Sequence, residues 1–432
     1  MLDIKFIREN KEVVKKNCEL RNIKCDIDRF LELDEQRRDL IQKVDELKNE
    51  KNKLNEELKI NVSDTVVVGE DKNILIEKGK EIKNKLEQLA PKFEETETAW
   101  KNILIQIPNM THPASPVGKD DSENKEIERY GDPPEFSFKP KGHEELMKNL
   151  DIIDFERGAK VTGAKFYFLK NEAVLLEQAL IQYALDICLK EGFTPIVTPD
   201  LAKDEVLLGI GFNPRGEETQ VYSIEKTDLN LIGTAEITMG GYHKDEILEE
   251  SRLPLKYVAL SHCFRTEAGS YGRHSAGLYR VHQFTKVEMF AYTLPEKSEE
   301  MHAYFKDLEV KIFKVLGIPF RVVDICTGDL GGPAYRKYDL EAWMTSRDGW
   351  GEITSTSDTT DYQARRLNIK VKRADGKKEF LHMLNGTAIA TSRALIAIIE
   401  NCQQVDGSVM IPEVLRQWMP GQQKIIEAKK IE

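Results

Sequence analysis

Two apolar seams separated by a short interruption constrain this chain more than any other feature. Leu40, Val44, Leu47, Lys51, Leu54 and Leu58 recur at spacings of four and three, as do Leu75, Gly79, Ile82, Leu86, Leu89, Phe93, Thr96 and Trp100. Lys and Glu flank both seams, the pattern of helices that pair along one stripe and solvate the rest. The interruption, Asn61 to Lys72 (NVSDTVVVGEDK), carries β-branched residues, Asp64 and Gly69. It is short enough to fold the helices back on each other as an antiparallel hairpin over about residues 27–103. About 30 residues per helix would extend it roughly 45 Å. Pro91 falls inside the second helix and is expected to kink it. Taken alone, such a coiled coil is most often a dimerisation or spacer element.

With 432 residues the chain has room for a second, larger domain with a sizeable core. Residues 104–145 are rich in proline, mixed in charge and free of periodicity, and read as a linker onto that body, with a boundary near residues 105–112. Beyond it, helical segments such as AVLLEQALIQYALDICLKEG alternate irregularly with the strands TPIVTP, YVALSHCF, VEMFAY, FRVVDIC and GEITSTS. That mixture predicts an α+β fold, an antiparallel sheet with helices packed on it.

A net charge of −11 argues neither for nor against a nucleic-acid partner. A basic face would need spatial sorting, and Lys48, Lys51, Lys53, Lys59, Lys78, Lys80, Lys83 and Lys85 lie near the outer half of the hairpin where they can meet phosphates. Cys18, Cys25, Cys188, Cys263, Cys326 and Cys402 are scattered without CxxC or Cys/His spacing, which suggests neither a disulfide framework nor structural zinc. The start MLDIKFIRENKEVV lacks the apolar stretch of a signal peptide, and no run approaches the roughly 20 apolar residues of a membrane span. The expectation is a cytoplasmic protein, although an organellar protein numbered after processing would look the same.

Chemistry concentrates between Phe264 and Glu288, FRTEAGSYGRHSAGLYRVHQFTKVE. Arg265, Arg280, Glu267, Glu288 and Phe284 crowd there between two apolar strands, joined by a loop with Gly269, Gly272 and Gly277. Burying that mixture is costly unless a charged ligand completes it. Arginines at strand ends can grip phosphate bidentately, and an aromatic ring offers a flat face to a base. A solvated hairpin with ordinary surface charge is the plain alternative. Near the C-terminus, HMLNGTAIATSRALIAIIENCQQ begins as a short strand, passes Asn385, Gly386 and Thr387, then becomes an apolar helix with Arg393 at its start. A guanidinium in a first turn opposes the helix dipole, so a purely structural role is unfavourable, whereas an anion there gains from both charges.

These residues resemble a known family. FRTEAG with GLYRVHQF is similar to motif 2 of class II aminoacyl-tRNA synthetases, about residues 257–291, and NGTAIATSR to motif 3, about residues 382–402. The variant resembles seryl-tRNA synthetase, of bacterial type. Its marks are TAE at Thr234 to Glu236, HQFTKVE at His282 to Glu288, YDLEAW at Tyr338 to Trp343, EITSTSDTTDYQARR at Glu352 to Arg366, and motif 1-like GFTPIVTPDL at Gly192 to Leu201. The resemblance covers essentially the whole chain. It implies an N-terminal tRNA-binding domain over residues 1–105 with the antiparallel arm, and a class II catalytic core over residues 106–432 that forms a homodimer through motif 1.

The implied activity is that of a serine:tRNA ligase. Serine and ATP give seryl-adenylate and pyrophosphate, and the seryl group passes to the 3′-terminal adenosine of tRNA(Ser) and, where it exists, tRNA(Sec). By the resemblance, Arg265 holds the α-phosphate and substrate carboxylate, Arg393 grips the γ-phosphate, and Glu352 with Ser355 binds Mg²⁺. Phe284 stacks on adenine and Glu267 lies near its amino group, with Thr266, Ile353 and Thr354 completing the ATP site. Thr234, Ala235, Glu236, Glu288 and Thr387 take L-serine, and which carboxylate meets the ammonium and which the hydroxyl stays open. The arm reaches across the dimer to the long variable arm of the tRNA, and neither a membrane nor DNA is an implied partner.

Thr387 stands where bacterial members often have Ser, Ala388 replaces a frequent Gly, and Met344 follows EAW where Leu or Pro is commoner. None of these removes a charged group. Two alternatives use the same residues: a ligase that loads an amino acid onto a carrier protein, for which a long arm has no evident purpose, and an inactive RNA-binding or regulatory paralogue, whose expected signature is a lost phosphate or metal ligand. Unrelated nucleotide folds lack support, since neither a GxxxxGK[ST] loop nor the HIGH and KMSKS signatures occur.

Overall fold

The computed structural model describes residues 1–63, 69–212, 220–268 and 277–428, with side chains described outside residues 59–72. Contacts divide the chain into two units, Asp3–Pro108 and Asn109–Glu432 together with Met1–Leu2.

The first unit is dominated by α1 (Ile27–Ser63) and α2 (Gly69–Leu104). The seams do face each other. Leu54, Ile82 and Trp100 are buried, and a Cβ on Gly79 would stand 3.3 Å from Leu54 Cδ2, so a small residue lets the helices approach there. Near the base, Trp100 stacks on Phe30 at 5.7 Å and Arg37 lies 4.6 Å from the Trp100 ring centre. The helices are longer than the interruption suggested, because Asn61–Ser63 and Gly69–Lys72 are helical. Weak helix formers cost only about 0.5 kcal/mol each, which neighbouring helical turns offset. The rest of the interruption, residues 64–68, lies outside the described residues. α2 also continues through Pro91 as one helix.

The second unit is built on an eight-stranded sheet. In chain order its strands are β1 (Lys125–Tyr130), β2 (Thr194–Val197), β3 (Leu255–Phe264), β4 (Gln283–Thr293), β5 (Phe320–Asp324), β6 (Arg336–Met344), β7 (Gly349–Asp358) and β8 (His382–Ala390). Their spatial order is β1-β5-β6-β7-β8-β4-β3-β2, antiparallel except that β2 pairs with β3 in parallel. The expected α+β core is therefore present. The expected linker, however, supplies the edge strand β1, whose KEIERY alternates exposed and half-buried positions. Two of its three half-buried positions hold Glu126 and Glu128, with only Tyr130 apolar, so hydrophobic patterning did not reveal it. Arg321 bridges Glu126 and Glu341 across that edge, at 3.3 and 2.6 Å.

Alternation along the strands decides what each sheet face carries. Val287, Met289 and Ala291 of β4 join one apolar cluster, with α3 (Glu172–Lys190), α5 (Ser298–Leu316) and α6 (Thr391–Asn401) contributing Leu176, Phe313 and Leu395. Phe290 and Tyr292 join a second cluster, which includes Ile237 of α4 (Ala235–Gly241). Lys286 and Glu288 share the parity of Phe290 and Tyr292, so a lysine and a glutamate are drawn under that second face. The segment expected as a short strand before α6 is the full nine-residue β8, running through Asn385, Gly386 and Thr387. Of the expected loop glycines, Gly269 and Gly272 lie outside the described residues. Gly277 has φ +64°, and a Cβ there would come within 2.0 Å of His143 Nε2, so both conformation and space require glycine.

Candidate active site

A cavity of about 460 Å³ opens on the central strands, where the ends of β3, β4, β7 and β8 meet the starts of α4 and α6. At one end stand four residues expected to recognise an amino acid. Thr234 caps α4, its hydroxyl accepting from the Glu236 backbone N–H at 3.2 Å, and the cap aims Glu236 into the cavity. Glu236 Oε1 accepts from Gln363 Nε2 at 2.9 Å. On the sheet, Thr387 of β8 sits directly opposite Glu288 of β4 and donates to its Oε2 at 3.3 Å. The other partner of Glu288 Oε2 is Lys286 Nζ, at 2.5 Å. Both members of that ion pair are nearly inaccessible, at 6% and 1% relative exposure, which makes the pair costly to break from either side. Ala235 is buried behind Glu236 as the first residue of α4.

Burial, and then the neighbouring Glu288, push the Glu236 carboxyl up to about 7. The sign of the linkage follows from that. The folded carboxyl keeps its proton to higher pH than an unfolded one of ordinary value 4.5, so its contribution to stability declines as pH rises from about 4.5 through 7. Binding of a cationic ammonium runs the other way, because it favours the ionised form. KM for a substrate that presents an ammonium group here is therefore expected to fall severalfold between pH 6 and 8. Steady-state kinetics on Glu236→Gln should lose that dependence; a variant profile as steep as the wild type would assign the titration elsewhere.

The other end of the cavity gathers the phosphate-type residues. Arg265 follows the last residue of β3, donates from Nε to the Gly233 carbonyl at 3.2 Å and lies 5.3 Å from the Phe284 ring centre. Glu267, at φ +51°, pairs with Arg280 at 3.3 Å, and the preceding Thr266 donates its backbone N–H to the Gln220 carbonyl at 3.2 Å. Arg393, in the first turn of α6, bonds the Glu352 carboxylate at 3.0 Å and its carbonyl at 3.2 Å. Burial alone would raise Glu352, but Arg393, Lys337 and Arg265 together hold it at about 2. Glu352 is thus an anion across the physiological range and no proton acceptor. Ile353, Thr354 and Ser355 line the same wall, with Thr354 donating to the buried Glu309 at 2.8 Å.

Of the residues expected at the serine and ATP sites, all but Ala235 and Thr266 line this one cavity. Residues 1–111 match the family model for the seryl-tRNA synthetase N-terminal domain, and residues 220–402 match that for the tRNA synthetase class II core domain (G, H, P, S and T). The chain is 56% identical over 417 residues to a serine–tRNA ligase of Treponema denticola, covering 96% of this chain and 98% of the relative. This chain belongs to the seryl-tRNA synthetase family. A serine–tRNA ligase of Rubrobacter xylanophilus is 54% identical over 418 residues, 96% of this chain and 97% of its own. The seryl-tRNA synthetase of Pyrococcus horikoshii, solved with ATP, superposes with a TM-score of 0.88 at 40% identity, each chain fully covered. The cytoplasmic serine–tRNA ligase of Naegleria fowleri, solved with AMP, gives 0.83 at 33% identity, covering 100% of this chain and 99% of that one.

In this member of the seryl-tRNA synthetase family, Lys286 and Asp339, which the sequence reading passed over, stand beside the expected residues. Lys286 was visible as a lysine two positions before Glu288 and in step with Phe290 and Tyr292, and that parity was the missed signal. Asp339 of β6 sits directly opposite Ser355 of β7, with Lys337 Nζ 2.9 Å away. Burial pushes its carboxyl up to about 7, Lys337 opposing and Glu352 adding to the rise. Asp339 Oδ1 is buried and has no hydrogen-bond partner, so one more oxygen donor stands beside Glu352 and Ser355. Among the described residues no group of three or more His, Cys, Asp or Glu forms a ready cation cage. One or two carboxylates with a hydroxyl are the donors of a hard cation that keeps waters and is completed by phosphate oxygens, and the residues fit that class.

Proposed function

We propose that this cavity condenses L-serine with ATP to seryl-adenylate and transfers the seryl group to the 3′-terminal adenosine of tRNA(Ser). The observation that carries the reading is the joining of two half-sites in one cavity: Glu236, Glu288 and Thr387 at one end, and Arg265, Phe284, Glu352 and Arg393 at the other. A small zwitterion carrying a hydroxyl suits the first half. Between them Glu236 and Glu288 take the ammonium and accept from the hydroxyl, with Thr387 fixing the Glu288 oxygens. A site built to hydrogen-bond a hydroxyl rejects alanine by roughly 10⁴-fold, because its buried polar groups stay unpaired. Threonine must be excluded by volume instead.

The nucleophile is the serine carboxylate, already ionised, so the chain has little acid–base work to do in the first step. Rate comes from positioning and charge neutralisation. Arg265, at the junction of the half-sites, holds the α-phosphate and the attacking carboxylate together. Phe284 supplies the face on which adenine stacks, Glu267 stands near its amino group, and Arg393 takes the γ-phosphate. Glu352 and Ser355, with Asp339 beside them, would hold Mg²⁺, which when bound neutralises phosphate charge.

Lys48, Lys51, Lys53, Lys78, Lys80, Lys83 and Lys85 are exposed on the arm, whereas the Lys59 side chain lies outside the described residues. We infer that they meet the tRNA backbone, and tRNA(Sec) is a second acceptor where it exists. Replacing Lys53, Lys78 and Lys80 by Glu should weaken tRNA binding at least tenfold and reduce its salt dependence. Filter binding across a salt series would expose the error if the slope were unchanged. A homodimer in the cytoplasm completes the reading, and no described helix is long and apolar enough to cross a membrane.

The test of the activity is ATP–pyrophosphate exchange with each of the twenty amino acids. Exchange with serine alone supports the assignment; exchange with another amino acid, or none, sinks it.

A further inference from the structure

The wall behind Arg393 contains a residue that the roles above leave unused. Tyr279 lies on the return limb of the β3–β4 hairpin, and its ring centre is 4.9 Å from the Arg393 guanidinium carbon and 4.3 Å from that of Arg347. A second cavity, about 790 Å³, adjoins the active site, and Tyr279 is the residue common to the two linings, with Arg393 on one and Arg347 on the other. Arg347 Nη1 is buried without a hydrogen-bond partner, so the ring is a principal attraction for that guanidinium.

The ring is held by backbone anchors on three elements. The Leu278 N–H donates to His143 Nε2 at 3.1 Å, and His143 Nδ1 pairs with Glu400 Oε1 at 2.6 Å. Glu400 Oε2 accepts from the Ser346 N–H at 2.9 Å, beside Arg347. Glu400 itself belongs to α6, two turns after Arg393. One buried network thus locks the segment carrying Tyr279 and the turn carrying Arg347 to the helix that carries Arg393.

We propose that Tyr279 is a positioning residue for Arg393, holding the guanidinium over its ring while Arg393 exchanges the Glu352 carboxylate for triphosphate. The inference rests on the reading of Arg393 as a phosphate ligand. Without ATP the charge of Arg393 is met by Glu352. When Arg393 turns to a phosphate oxygen that ion pair is lost, and a neutral ring is a partner that neither competes with phosphate nor repels it. The ring face attracts a cation, and the phenol hydroxyl has no part in the argument.

Tyr279→Leu should raise KM for both ATP and pyrophosphate about 3- to 10-fold in the exchange assay, with KM for serine unchanged. Tyr279→Phe, which keeps the ring, should recover most of that loss. In a double-mutant cycle with Arg393→Gln the effect of Tyr279→Leu should vanish, since it acts through Arg393. Should Tyr279→Leu not fold, pentafluorophenylalanine at position 279 keeps the shape and reverses the ring charge, and should raise KM for ATP relative to phenylalanine. Unaltered ATP and pyrophosphate constants, equal increases for ATP and serine, or an additive cycle would overturn the proposal. A wild-type protein without serine-dependent exchange would overturn it together with the reading of the site beneath it.

Discussion

Arg393→Ala is expected to lower kcat/KM for ATP in serine-dependent exchange by roughly 10³-fold, the upper range for removing one preorganised donor to a transferring phosphoryl group. Two properties of the site set the size. Arg393 is half-buried at the start of α6, where its charge adds to the partial positive charge of the helix end, and Lys337 on the same cavity wall is already held by Asp339. Its removal also disturbs Glu352, since Arg393 is the largest of the influences that oppose burial and hold that carboxyl near 2. A carboxyl depressed in the folded state contributes stability above its ordinary value of 4.5 and loses it as pH falls through about 2. The variant should therefore unfold at higher pH in acid titration than the wild type. Arg393→Lys restores the charge but not the paired geometry, and should recover no more than about tenfold. Exchange kinetics beside circular dichroism decide the matter. A folded Arg393→Ala protein within tenfold of wild type would remove the γ-phosphate role.

The second large effect belongs to Glu288. Glu288→Ala leaves Lys286 buried without its carboxylate, a change that costs about 3–5 kcal/mol when one partner of a buried pair is removed. Glu288→Gln separates stability from recognition. The amide retains volume and can still accept from Thr387, yet it cannot neutralise either Lys286 or a substrate ammonium. We expect Glu288→Gln to fold with a lower midpoint in urea and to lose at least 10²-fold in kcat/KM for serine, with KM for ATP little altered. Lys286→Met on the Glu288→Gln background should restore much of the midpoint without restoring activity. Equal restoration of both would mean that Glu288 acts only as the partner of Lys286.

Much of this architecture was legible in one dimension. The arm could be read because its stabilising contacts recur with a helical period, so Leu54, Ile82 and Trp100 appear at predictable places. The charged hairpin and the arginine opening α6 could be read because their cost in an apolar setting marks them as ligand-binding. Edge strand β1 escaped notice because two of its inward positions are Glu126 and Glu128, whose partners are Arg321 of β5 and Lys306 of α5, and such charge pairing has no period along the chain.

The chain by itself determined the elements, the residue types at the site and the family chemistry they imply. Tertiary structure decided which of those residues touch. Register set Thr387 against Glu288 and Asp339 against Ser355, since a one-residue slip would have sent each side chain to the opposite face of the sheet. Surroundings then chose the charge states: Glu236 and Glu352 are both glutamates drawn into one cavity, yet burial and then an adjoining carboxylate lift the first to about 7 while three cations overcome burial and hold the second near 2. Tyr279 reads as an ordinary hairpin aromatic until the fold brings two arginines from distant segments against its ring.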